Sequence, residues 1–166
     1  MNIFATDDDP YVSANNLDDL RLSKMVLESA QLLSTACYLK GVRDDYLYKP
    51  THVGHPCTQW LLESRKNVSW LLDHATSMVK IKLIATSNIH SSVVPLSVSI
   101  KYIDKFPDID RTPFRNCTSL KSHEYDHLDV FTKYKIAMIM KWSTDLVPPK
   151  WKNRQPPDWW DGSVRN

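Results

Sequence analysis

The chain is poor in the residues that mark several common kinds of site. It has 3 glycines and 3 cysteines in 166 residues. With so few glycines it contains neither a Walker loop nor a dinucleotide-binding fingerprint, so we predict no nucleotide cofactor. No stretch approaches the roughly 20 apolar residues of a membrane span. The opening MNIFATDDDP lacks a basic region before an apolar run, so we also expect no signal peptide.

The three cysteines, Cys37, Cys57 and Cys117, lie far apart in the sequence, and one would remain after any pairing. This spacing argues against a disulfide framework and against a Cys-rich zinc site. It suits a reducing cytoplasm, that of the host cell if the protein is phage-encoded. His123 and His127 are four residues apart, but no HExxH pattern accompanies them, and we expect both on the surface. We therefore predict no metal and no cofactor.

Composition and charge are those of an ordinary globular protein. Hydrophobic residues make up 42% of the chain, charged residues 24%, and the net charge is +2. A chain of this length is enough for a single domain, here residues 1–166. We expect no membrane partner. Binding to DNA would have to come from a local patch, because the molecule as a whole is not a polycation.

Apolar periodicity predicts an all-α fold, a compact single domain of three or more long packed helices with an aromatic, Pro-rich C-terminal segment over residues 145–166. The segment VVPLSVSIKYI fits either a strand or a helix, and we favour a helix after Pro95 because a lone strand would have no partner. KFPDIDRTPF is expected to be a loop. Three long helices are predicted. The first starts at the caps Asn15 and Asn16 and ends near Leu39, before Gly41. The second begins at Pro56 and has apolar positions as far as Val79, and the third covers residues 123–144.

The segment LDDLRLSKMVLESAQLL carries a narrow polar file on an otherwise apolar helix. Arg21, Lys24, Glu28 and Gln31 fall within an arc of about 80°. One interpretation is a Lys24–Glu28 salt bridge on a narrow solvated edge. The other is a site in which a carboxylate lies among apolar walls and two cations before it attract an anionic substrate. The pattern alone leaves both open.

The segment HVGHPCTQW places His55 before Pro56 at a predicted helix start. The helix dipole there disfavours the imidazolium form, so the ring is expected to be neutral. A neutral ring can hold a phosphate or a sugar hydroxyl, or transfer a proton. It can equally well cap the free amides of the helix, and the sequence does not decide between these roles.

The C-terminal segment interleaves aromatic and basic side chains. This mixture is typical of nucleic-acid binding, in which rings stack on bases and cations neutralise phosphates. Alternatively, the tryptophans pin the segment onto the helical core. The residues concerned are Trp151, Trp159 and Trp160 with Lys150, Lys152 and Arg154.

The segments LDDLRLSKMVLESAQLL and GHPCTQWLLESRKNVSWLL, with the aromatic C-terminal segment, together resemble the pyrimidine-dimer DNA glycosylases of the phage endonuclease V type and their bacterial relatives. They also resemble small uncharacterised phage proteins that begin MNIF and carry D-x-[HR]-x-x-K-M-x-x-E followed by HP. The resemblance implies a compact all-α domain with an aromatic C-terminal loop. It also implies base excision in DNA repair, that is, a DNA N-glycosylase, with AP-lyase activity a further option, acting on damaged or modified bases.

The resemblance also implies roles for individual residues. In the family, the free N-terminal amine attacks the sugar C1′ and forms a Schiff base, and a glutamate on the first long helix assists ring opening and β-elimination. That glutamate corresponds to Glu28, and the histidine of the GH motif corresponds to His55. In the family a small residue follows the initiator Met, which is removed. Here Asn2 follows Met1, so either the amine belongs to Met1, shifted by one residue, or the lyase chemistry is lost.

Other departures affect DNA binding. Leu27 and Gln31 stand where two arginines flank the family's glutamate, and residues 86–121 have no counterpart. The expected DNA contacts are Arg21, which corresponds to a histidine that contacts the DNA backbone, together with Lys24, Gln31, Arg65, Lys150, Trp151, Lys152 and Arg154. Two alternatives remain: a phage transferase that modifies a flipped pyrimidine, and a non-catalytic module that binds DNA or a protein.

Overall fold

The computed structural model describes residues 1–162, and this part of the chain is all-α, with no β-strand. The predicted fold class is therefore confirmed. Within the same residues, no helix has both the length and the apolar character needed to cross a membrane. The α-helices are α1 (Pro10–Asn16), α2 (Asp19–Leu39), α3 (Pro56–Glu63), α4 (Arg65–Thr86), α5 (Val93–Ile100) and α6 (Val130–Thr144), with 3-10 turns at Ile103–Lys105 and His123–Tyr125.

The central helix α2 ends where the sequence predicts. Leu39 is its last residue, and Gly41 follows with a φ of +84°, a conformation that glycine adopts at little cost. Helix α2 packs against α3, α4 and α5. Its fully buried residues include Met25, Val26 and Leu33, which explains why so much of this helix is apolar.

Helix α1 is not among the predicted helices. Asp9 accepts hydrogen bonds from the amides of Tyr11 and Val12, and Pro10 occupies the first helical position. An Asp cap before a Pro is a favourable helix start, because Pro lacks the amide that would otherwise be unsatisfied. The predicted caps Asn15 and Asn16 thus lie at the end of α1.

The helix predicted to begin at Pro56 does begin there, but it is two helices. Ser64 interrupts it with an extended backbone, φ −153° and ψ 140°. The Ser64 hydroxyl accepts the Lys66 amide at 3.0 Å and donates to the Ile109 carbonyl at 2.7 Å. The break is therefore stabilised by the loop that follows α5, which contacts the chain at a point distant in sequence.

Two other helix starts differ from prediction. Helix α5 begins at Val93, two residues before Pro95. Helix α6 begins at Val130 and not near residue 123, because Asp129 accepts the amides of Phe131 and Thr132. Tyr134, Met138 and Trp142 on the inward side of α6 are fully buried.

A buried histidine makes the fold sensitive to acid. His74 on α4 has no solvent exposure and stacks on Trp70 with centroids 4.9 Å apart. Burial lowers the pKa of His74 to about 3, although the backbone of Ser13 opposes the shift. Neither ring nitrogen meets hydrogen-bond geometry within residues 1–162. The folded protein therefore holds this ring neutral.

We expect this histidine to lower stability as the pH falls. Below its ordinary pKa near 6.5, the unfolded chain takes up a proton that the folded chain excludes until about pH 3. Between pH 7 and pH 5, the wild type should lose roughly 2 kcal/mol more unfolding free energy than His74→Phe. Urea unfolding at both pH values measures this difference, and equal losses in the two proteins would contradict it.

Candidate functional site

The first five residues are fixed against the helices. Ile3 and Ala5 are fully buried. The Asn2 side-chain oxygen accepts the amides of Ile3 and Phe4 at 2.8 and 3.1 Å, and Phe4 adopts a φ of +44°. The Asn2 side-chain amide donates to the Cys117 carbonyl at 3.1 Å. This local turn sets the position of the chain's first atom.

That first atom lies beside Glu28. The Met1 nitrogen is 3.9 Å from Glu28 Oε2, and the same oxygen accepts the Asn2 amide at 2.8 Å. Lys24 Nζ is 3.7 Å from the other oxygen, Oε1. The Met1 side chain is 4% exposed although the residue as a whole is partly exposed, so its backbone end is the accessible part. The Glu28 side chain is 12% exposed.

His55 lies next to this pair. Its Nδ1 accepts the Cys57 amide at 3.1 Å and caps α3, so the capping interpretation is correct. Burial lowers the pKa of His55, and the charges of the Met1 amine and His52 lower it further. A backbone hydrogen bond with Met1 and the charge of Glu28 oppose this shift. A neutral imidazole therefore stands close to the amine and the carboxylate.

Two cysteines complete the cluster, although their spacing in the sequence gives no sign of a shared site. Cys57 Sγ and Cys117 Sγ are 3.3 Å apart, and both are free thiols. Their mutual hydrogen bond lowers the pKa of Cys117 and raises that of Cys57, since the pair shares a proton. One ring nitrogen of His55 and both sulfurs lie within 4.8 Å of one another. Because the cysteines are 60 residues apart, no local spacing could reveal this arrangement.

Arg21 is part of the polar file on α2, but its side chain is not exposed to solvent. It is 4% exposed and pairs with Asp18 at 3.1 Å and with Asp145. Trp142 Nε1 donates to the other Asp18 oxygen at 2.8 Å. This arrangement does not favour a contact between Arg21 and DNA, because its guanidinium forms part of a buried network that joins α2 to α6.

The remaining predicted DNA contacts on the helices occupy different places. Lys24 is 69% exposed beside Glu28, and Gln31 is partly exposed one turn further along α2. Arg65 lies at the start of α4, where it pairs with Asp104 and Asp108 at 3.3 and 3.7 Å. Helix α3, about 12 Å long, lies between His55 and Arg65, so Arg65 is distant from the groups around Glu28.

The C-terminal segment is anchored on the core. Trp142 stacks on Trp159 with centroids 5.3 Å apart and meets Trp151 and Trp160 edge-on. The Trp151 indole donates to the Asn16 carbonyl at 3.1 Å. These contacts support the interpretation in which the tryptophans pin the segment to the helices.

The basic side chains of this segment lie away from Glu28. Arg154 donates to Asp19 at 2.7 Å and to two backbone carbonyls at the end of α1. Lys150 and Lys152 are exposed, and their backbones bond to Asp19. Asp19 is about 13 Å along α2 from Glu28. DNA contacts by these residues would therefore be peripheral to the cluster.

The described residues thus bring together an amine, a carboxylate, an imidazole, an ammonium group and two thiols, contributed by Met1, Glu28, His55, Lys24, Cys57 and Cys117. A nucleophile and an acid–base group are within reach of one another, which is the minimum for covalent catalysis. Comparison with protein-family models, with curated proteins and with solved structures found no match to this chain.

Proposed function

We propose that this protein is a DNA N-glycosylase with an associated AP-lyase step, acting on damaged or modified bases. The observation that carries the proposal is the 3.9 Å separation of the Met1 nitrogen from Glu28 Oε2. An α-amine that has given up its proton can serve as a nucleophile without a buried lysine. A carboxylate beside it can stabilise positive charge on the sugar and transfer protons.

The proposed reaction has two stages. The Met1 nitrogen forms a bond to C1′ of the nucleotide, the C1′–base bond breaks, and the base leaves with a proton from the solvent. The attacking nitrogen gives up one proton, the C1′–O4′ bond breaks and O4′ takes up a proton, which yields a protonated imine at C1′. Glu28 then takes a proton from C2′, the C3′–oxygen bond breaks, and the 3′ phosphate leaves. Water hydrolyses the imine and regenerates the amine.

The surroundings of the cluster supply features that a DNA substrate requires. Lys24 is largely exposed beside Glu28 and can approach a phosphate. Lys121 is exposed and near enough to Cys117 for its charge to lower the pKa of that thiol. These two cations lie near the cluster and replace, in our proposal, the arginines that the sequence resemblance leads one to expect. The anchored tryptophans give less support to a module that binds bases through its C-terminal segment.

We expect the protein to form a covalent adduct with a duplex that contains an abasic site when borohydride is present, because reduction fixes the imine. A variant with a few residues added before Met1 should form no adduct, since its amine is displaced from Glu28. Gel electrophoresis of labelled DNA measures both. No adduct with the wild type, or equal trapping by the extended protein, would contradict the proposal. An uncut strand that is altered only with a second small substrate would indicate a transferase.

A further inference from the structure

His55, Cys57 and Cys117 lie close together, and the proposed base excision assigns no step to these three side chains. Soft thiolates combined with an imidazole favour Zn²⁺ over the hard cations Mg²⁺ and Ca²⁺. We propose that His55, Cys57 and Cys117 bind one Zn²⁺ ion through an imidazole nitrogen and two thiolate sulfurs. This site is independent of the proposed glycosylase activity.

The distances between the ligand atoms suit a tetrahedral ion. With Zn–S bonds of about 2.3 Å and Zn–N bonds of about 2.0 Å, the ligands of a tetrahedral site are roughly 3.5–4 Å apart. The two sulfurs here are 3.3 Å apart, and all three ligand atoms lie within 4.8 Å of one another. The two sulfurs are thus within about 0.5 Å of the tetrahedral value, and the nitrogen–sulfur separations exceed it by no more than about 1.3 Å.

The ligands are held by neighbours and remain accessible. Nδ1 of His55 accepts the Cys57 amide. Because a neutral imidazole has a single ring lone pair, coordination of an ion through either nitrogen would replace this hydrogen bond. The Cys117 amide donates to the Tyr134 hydroxyl at 3.4 Å, and the Cys117 carbonyl accepts from Asn2. Cys57 is 1% exposed, whereas His55 and Cys117 are partly exposed, so an ion can enter from their side. Outer contacts of this kind orient metal ligands.

Three protein ligands leave the fourth position of a tetrahedral zinc ion free. In proteins, closed sets of four ligands are typical of structural zinc, whereas sets of three with a water are typical of catalytic zinc. The three proposed zinc ligands also lie beside the Met1 amine, whose charge acts on both His55 and Cys57. A metal here would therefore be open to water or a small ligand next to the proposed reacting pair.

The experiment uses the full chain, freed of metal by a chelator and kept reduced with a non-thiol reductant. Co²⁺ serves as the probe, because thiolate ligands give it an intense charge-transfer absorption. We expect this band to saturate at one ion per chain and to disappear when Zn²⁺ is added. Cys57→Ser and Cys117→Ser should each weaken Zn²⁺ binding at least ~100-fold, since even loss of an outer contact weakens metal sites about 10–100-fold.

Cys37→Ser is the matched control, because Cys37 is a buried thiol on α2 that belongs to no ligand cluster among residues 1–162. It should bind Zn²⁺ like the wild type. His55→Asn removes a ligand yet keeps a good helix cap. If a cysteine variant unfolds, weaker Zn²⁺ binding by His55→Asn is the result that the proposal predicts. A wild type without the charge-transfer band, or a band that survives in the Cys57→Ser/Cys117→Ser double variant, overturns the proposal.

Discussion

Glu28→Gln is expected to abolish strand cleavage at abasic sites, lowering the rate by at least about 100-fold, while the protein remains folded. Glutamine has nearly the size of glutamate, and its side-chain oxygen can still accept the Asn2 amide that now bonds to Oε2. It cannot take a proton from C2′ or balance positive charge on the sugar. The salt bridge to the exposed Lys24 would be lost, which costs only a few tenths of a kcal/mol.

Single-turnover kinetics on abasic duplex, with circular dichroism and urea unfolding on the same samples, measure the effect. Glu124→Gln is the matched control, because Glu124 is an exposed glutamate on the 3-10 turn His123–Tyr125. It should cleave at the wild-type rate. If Glu28→Gln kept full activity, the proposed role of Glu28 would be wrong. If it unfolded, Glu28 would be a structural partner of the chain's start.

Arg21→Met should destabilise the protein by about 3–5 kcal/mol, the usual effect of removing one partner of a buried ion pair. The Asp18 side chain is 1% exposed, and without Arg21 its charge would retain, among residues 1–162, only the hydrogen bond from Trp142. Asp145 would lose its partner as well, which weakens the junction between α2 and the end of α6. The stem of methionine fills most of the space of the arginine, so the loss should be mainly electrostatic.

Lys24→Met is the control on the same helix, since Lys24 is 69% exposed and should contribute less than about 1 kcal/mol. Adding Asp18→Asn to Arg21→Met should recover part of the lost stability, because it removes the unpaired charge. Urea unfolding of the four proteins measures these differences. Equal effects of the Arg21 and Lys24 substitutions would contradict the buried network.

Local signals in the sequence are sufficient for much of the fold. Gly41 closes α2 and Pro56 opens α3 because both act through their own backbone conformations. The break at Ser64 could not be predicted, since its hydroxyl bonds to Ile109 in a loop 45 residues away. The start of α1 could have been found, because Asp9 before Pro10 is itself a helix-start signal.

The candidate site was only partly predictable for the same reason. Glu28 and His55 were identified from short motifs, and the structure brings them together with Met1. Arg21 has the same helical spacing as Lys24, so periodicity could not show that Asp145, 124 residues later, would bury it. Cys117 lies within residues 86–121, which have no counterpart in the family that the sequence resembles. Contacts of this range depend on the packing of the whole chain.

The central claim is that the amine of Met1 is the nucleophile. The most direct measurement is mass spectrometry of the borohydride-trapped protein after digestion of the DNA and the chain. We expect the sugar remnant on the α-amine of the peptide that begins with Met1. A remnant on the Lys24 side chain, whose ammonium is also near Glu28 at 3.7 Å, would contradict the claim.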